Sequence, residues 1–185
     1  VSETDFDADA WAAELRRMRD EKDAFFAEHP QSPIPPAERD GFEGLSYFDP
    51  DPTYRIGATA RVHDRPDPVE METTSGPNVR YLRVVTFEFE LRGDDRTLAA
   101  YRQEEAEGRT LFVPFRDKTT GQETYRGGRY MEFEPERDLG DGDETVLDFN
   151  LAYQPFCAYS DTFSCPLPPE ENWLEAAIRA GERTG

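Results

Sequence analysis

The chain has 185 residues and a mass of 21.2 kDa, enough to bury a core within a single domain, 1–185. Only 36% of residues are hydrophobic while 12% are aromatic, so the core must lean on Phe and Tyr, and no apolar run is long enough for a transmembrane helix. With 21 basic against 40 acidic residues the net charge is −19, which leaves no basic patch to engage nucleic-acid phosphate.

The start, Val1-Ser2-Glu3-Thr4-Asp5, is acidic and lacks the basic and apolar segments of a signal peptide, so a cytoplasmic protein without a membrane role is expected. Residues 7–29 read as an amphipathic helix. Trp11, Leu15, Met18, Phe25 and Phe26 fall on one side, and Arg16, Arg17, Asp20 and Glu21 on the other. Asp7 or Asp9 caps it and His29-Pro30 ends it, because the residue before a proline avoids the helical region. Such a helix is expected to lie across a sheet.

After a Pro- and Gly-punctuated connection the period changes to two. Tyr54, Ile56, Ala58, Ala60 and Val62 mark one half-buried strand, and Val85, Phe87, Phe89 and Leu91 a second. Gly93-Asp94-Asp95 turns the chain, and Thr97–Gln103 is its hairpin partner. Leu111–Phe115 reads as a central strand in which Pro114 asks for an edge or a bulge. Met131 and Phe133 mark another, Glu134–Glu144 is a solvated acidic loop, and Val146–Tyr153 alternates again. Residues 170–181, with Trp173, Leu174, Ala177 and Ile178 apolar, read as a short C-terminal helix. Strands without a βαβ rhythm predict a mainly β fold with flanking helices. Its β-rich core, 47–165, forms an antiparallel curled sheet, or a partly closed β-barrel or sandwich.

The acids are spread along the whole chain, and nineteen of the 21 basic residues are arginine, with only Lys22 and Lys118 as lysines. That balance predicts a protein working in molar salt, where self-repulsion is screened within about 3 Å and carboxylates keep the surface hydrated.

Candidate chemistry concentrates in two blocks. The first runs Leu111-Phe112-Val113-Pro114-Phe115-Arg116-Asp117 to Gly127-Gly128-Arg129-Tyr130. The second runs Asp148-Phe149-Asn150-Leu151-Ala152-Tyr153-Gln154-Pro155-Phe156-Cys157 to Ser164-Cys165-Pro166 and Glu171-Asn172. If the sheet curls, Asp148 and Asn150 point either to water or into the barrel, and inside it the fixed fork of Arg129 is the natural partner for the carboxylate. Gly127 and Gly128 would then let backbone approach closely. Asp148, Asn150, Arg129 and Tyr153 could surround a small polar ligand or simply neutralise one another. Asp117 either bonds its own turn or acts as an acid or base at a pocket rim. Tyr125 and Tyr130 are stacking candidates or core rings. Cys157 and Cys165 lack a nearby base for nucleophilic work, and with His29 and His63 offer too few ligands for a metal. A structural thiol pair bracing the Pro-rich loop is simplest, with redox sensing next, and a reducing cytosol favours free thiols.

These blocks resemble the signature of the family called domain of unknown function 1684, specifically a halophilic archaeal member. The resemblance extends to Ser32-Pro33, Phe42-Glu43-Gly44-Leu45-Ser46-Tyr47-Phe48 and Ala180-Gly181-Glu182. The chain departs from the pattern at Gln154, where the family commonly has Asn, and at Arg126 and Trp173. The resemblance implies relatives and no reaction.

The expected function is binding of a small polar molecule, without metal or other cofactor, at a tyrosine-lined site. Its candidate residues are Asp117, Tyr125, Arg129, Tyr130, Asp148, Asn150, Tyr153, Cys157, Cys165 and Asn172. Two other classes compete. One is a non-enzymatic interaction protein, in the form of a homodimer, whose motifs encode the fold. The other is a hydrolase with Asp148 or Asp117 as base and Arg129 steadying an anion.

Overall fold

The structure is a computed structural model that describes residues 6–185. The stretch Val1–Asp5, the basis for expecting no signal peptide, lies outside the described residues. Helix α1 spans Ala8–Glu28, capped by the Asp7 carboxylate, which accepts from the N–H groups of Asp9 and Ala10. Its packed side is more polar than the periodicity predicts. Met18 is 43% exposed, while Arg19, Lys22 and Asp23 join Trp11, Leu15 and Phe26 against the body. The reason is what the helix covers. Its partners are the two-stranded ribbon of β1 (Ser46–Tyr47) with β8 (Glu182–Arg183) and the irregular segment after residue 148. Those partners present carbonyls, carboxylates and phenols to it.

Six strands form one antiparallel, curled sheet: β2 (Arg55–Met71), β3 (Val79–Leu91), β4 (Asp94–Arg102), β5 (Leu111–Phe115), β6 (Arg129–Phe133) and β7 (Glu144–Asp148). Their order is β6-β5-β4-β3-β2-β7. Arg92 (φ 55°) and Gly93 (φ 80°) make the two-residue turn between β3 and β4, both left-handed as a tight hairpin requires. β2, at 17 residues, runs well past the predicted end at Val62 and carries Pro66 and Pro68 in its second half. They are tolerated because β7 pairs only with Arg55–Thr59, leaving the outer edge of that half free of sheet partners.

The concave face holds the core: Ala60, Phe87, Leu98, Ala100, Val113, Phe115 and Phe149 are almost wholly buried. The sheet is a half-barrel, and its open side is filled by the C-terminal segment. That segment corrects the sequence reading, since only Glu170–Asn172 is helical, as a single 3-10 turn. From Trp173 the chain is extended, burying Leu174, Ala176, Ile178 and Ala180 in alternation. The convex face carries a smaller cluster of Met71, Ala99 and Tyr101, with Val69, Tyr81 and Phe112 packed beside it.

Candidate functional site

The first block places Arg129 and Asp117 together, with neither side chain exposed and 3.4 Å between Nη2 and Oδ2. Asp117 Oδ2 accepts from the N–H of Ile178 at 2.6 Å, and its carboxylate also accepts from the hydroxyls of Thr119 and Thr120. Arg129 donates to the carbonyls of Ile178 (2.8 Å), Glu182 (3.1 Å) and Ala180. Burial pushes the guanidinium below its ordinary pKa, and Asp117 pulls it back up. Gly128 allows this approach, because a Cβ there would stand 2.8 Å from the Phe115 carbonyl. The pair therefore fixes the C-terminal segment.

Asp148 is not the partner of Arg129. β6 and β7 are opposite edges of the sheet, so the two residues leave it at different ends. Asp148 instead accepts from Trp11 Nε1 at 3.0 Å, lies 3.6 Å from Arg55 Nε, and caps the turn Phe149–Leu151 through the N–H of Asn150. Asn150 is buried, with its amide oxygen on the N–H of Asp51 and its amide nitrogen on the Asp51 carbonyl and on Asp148. Asn172 is equally occupied. It exchanges two hydrogen bonds with the backbone of Ala99 and donates to the carbonyl of Pro114 at 2.7 Å. Strands β4 and β5 pair only at Tyr101 and Phe112, and Pro114 has no N–H to offer, so a side-chain amide fills the gap. Tyr125 lays its ring against Gly127, and its backbone N–H donates to the side-chain oxygen of Gln154 at 2.9 Å. Cys157 and Cys165 are disulfide-bonded rather than free. The loop between them folds back so that their Cα atoms are 6.3 Å apart, within bonding range.

Tyr130 and Tyr153 do come together. The chain after β7 returns to the β6 edge, where these residues exchange backbone hydrogen bonds of 2.8 and 2.9 Å. Their rings stand 5.8 Å apart at right angles. With Tyr81, Tyr101, Phe112 and Pro166 they line an open groove of about 330 Å³ on the convex face. Tyr81 and Phe112 stack at 5.4 Å, and Phe112 meets Tyr130 edge-on at 4.7 Å. Sequence reading missed Tyr81, Tyr101 and Phe112. The available signal was parity, since Phe112 sits between the core residues Leu111 and Val113 and so faces the other way.

Burial raises the phenol pKa of Tyr81, Tyr101, Tyr130 and Tyr153, which keeps these hydroxyls neutral donors. Tyr153 donates to Glu132 at 2.9 Å, Tyr101 to Glu171, and Tyr130 to the Pro166 carbonyl. Glu171 is held by Arg83, at 2.8 Å. Among the described residues no group of three or more His, Cys, Asp or Glu side chains is placed to hold a metal ion, and no helix is long and apolar enough to cross a membrane.

A family profile described as protein of unknown function, DUF1684, matches residues 40–183. The chain belongs to this family. It is also similar to an uncharacterized protein of Haloarcula marismortui solved by solution NMR. The two are 67% identical, the match covers 95% of each chain, and the TM-score is 0.76. That relative comes from a halophilic archaeon, in line with the acid-rich, lysine-poor composition of this family member. No curated protein matches the chain.

Proposed function

We propose that this protein binds a small organic molecule in the convex-face groove, with Tyr81, Phe112, Tyr130 and Tyr153 as its contact surface. The observation that carries the reading is the convergence of five aromatic side chains, from five separate stretches of chain, around one open concavity of about 330 Å³. That volume is at the lower end of small-molecule sites. Rings with neutral hydroxyls offer both apolar area and hydrogen bonds. The division of labour within the two blocks supports it further. Arg129, Asp117, Asn150 and Asn172 are engaged with backbone and lock the fold, whereas Tyr130 and Tyr153, from the same blocks, reach the groove. Asp117 and Asp148 are held by other protein groups, which favours binding over acid–base chemistry.

A fragment screen by NMR in molar KCl tests the reading. Binders should shift the ring resonances of Tyr81, Tyr130 and Tyr153 and raise the melting temperature, and Phe112→Ala should weaken them. Binders that perturb only other surfaces, or a screen without binders, would remove the groove from consideration.

A further inference from the structure

The groove has a charge preference as well as a shape. Glu132 stands on β6 directly opposite Phe112, between Tyr130 and the Tyr153 hydroxyl. Its carboxylate is exposed, accepts one hydrogen bond, and has no ion-pair partner among the described residues. Around it Phe112 and Tyr130 meet at 77°, and Tyr130 and Tyr153 at 90°. Rings at such angles form a corner in which a positive group can lie against more than one π-face. The Tyr153 ring already carries a cation, since the Lys22 ammonium lies 4.8 Å from its centroid.

The rim agrees. The loop between β4 and β5 lends Gln103, Ala106 and Thr110 to the lining and also carries the exposed Glu105 and Glu107, as well as Glu104, which is paired with Arg80 at 3.3 Å. Its Arg109 is paired with Asp138. Arg102, the basic residue of the lining, stands opposite Leu82, which packs toward the main core, so its side chain leaves the sheet on the other face.

We infer that the groove selects an organic cation, an alkylammonium or similar onium group, whose charge sits beside Glu132 against the rings of Phe112, Tyr130 and Tyr153. This rests on the groove being the ligand site. Rings and one carboxylate suit a bulky, weakly hydrated cation better than a metal ion, which needs several oxygen ligands.

Choline and 3,3-dimethyl-1-butanol share a shape and differ in charge, so the pair isolates the charge term. Each is titrated into the whole chain in molar KCl, with tyrosine ring resonances as the readout. Choline should bind about tenfold more tightly than the alcohol and shift Tyr130 and Tyr153. Glu132→Gln should bring the two to near parity with the melting temperature unchanged. Equal binding by the parent protein would overturn the cation class and leave the groove standing. So would fragments that bind there while choline does not. If neither choline nor any fragment moves those rings, the inference and the site fall together.

Discussion

Asp117 and Arg129, buried side by side, grip complementary polar groups of one extended segment: Asp117 takes the N–H of Ile178, and Arg129 its carbonyl. Each charge is thus compensated by the other and by backbone groups of the C-terminal segment. Removing one member leaves the other charge stranded in the core. Asp117→Asn and Arg129→Met should each cost about 3–5 kcal/mol in denaturant unfolding, and the double variant less than the sum. Additive losses would show that the two act independently.

Asn172 links β4 to β5 where ordinary pairing stops. Asn172→Leu keeps the volume but leaves the Ala99 N–H and two carbonyls without their partner. A loss of roughly 3 kcal/mol or more is expected, with faster hydrogen exchange at Ala99. Unchanged exchange there would mean that water or backbone replaces the amide.

Both partners of Asn172 lie far away in sequence, and this separates what sequence reading saw from what it missed. The alternation through Ile56, Ala58 and Ala60 and through Phe87, Phe89 and Leu91 reports a local fact, which side of a strand faces the core. Those strands form as read. The far half of β2, with Asp64, Arg65, Pro66, Asp67 and Pro68, does not look like a strand. It is permitted only because its outer edge has no sheet partner. In the C-terminal segment, Trp173, Leu174, Ala177 and Ile178 suit a helix, and Leu174, Ala176, Ile178 and Ala180 suit a strand equally well. Hydrogen bonds with Asp117, Arg129 and the backbone of Arg116 and Lys118 decide between them, and no local pattern encodes those. At the candidate site, Tyr130 and Tyr153 were legible only as motif tyrosines, one in each block, and not as neighbours. The pairing of Arg129 was not legible either, because it depends on which sheet edge each strand occupies.

Forty acidic residues against 21 basic ones load the surface with like charge, and the exposed neighbours Asp94 and Asp95 show how closely it is packed. Repulsion of this kind acts through solvent and is screened as ionic strength rises. The melting temperature should climb by about 10 °C or more between dilute buffer and molar KCl. A flat response would show that the acids are already balanced locally.

Glu182 is the buried carboxylate that joins the C-terminal ribbon to the helix. Lys22 Nζ donates to it at 2.8 Å, the Tyr159 hydroxyl at 3.2 Å and the Gln154 N–H at 3.3 Å. Burial raises its pKa above the ordinary 4.5, against the opposing pull of Lys22. The folded state therefore holds this proton to higher pH than the unfolded chain does. Its contribution to stability is fully present below about pH 4.5 and is lost as pH rises through the raised folded value. Glu182→Gln cannot ionise and keeps an acceptor for Lys22. Its stability relative to the parent protein should therefore increase from pH 4 to pH 7, measured by denaturant titration at constant molar KCl. A difference independent of pH would mean that Lys22 and the two other donors fully offset the burial.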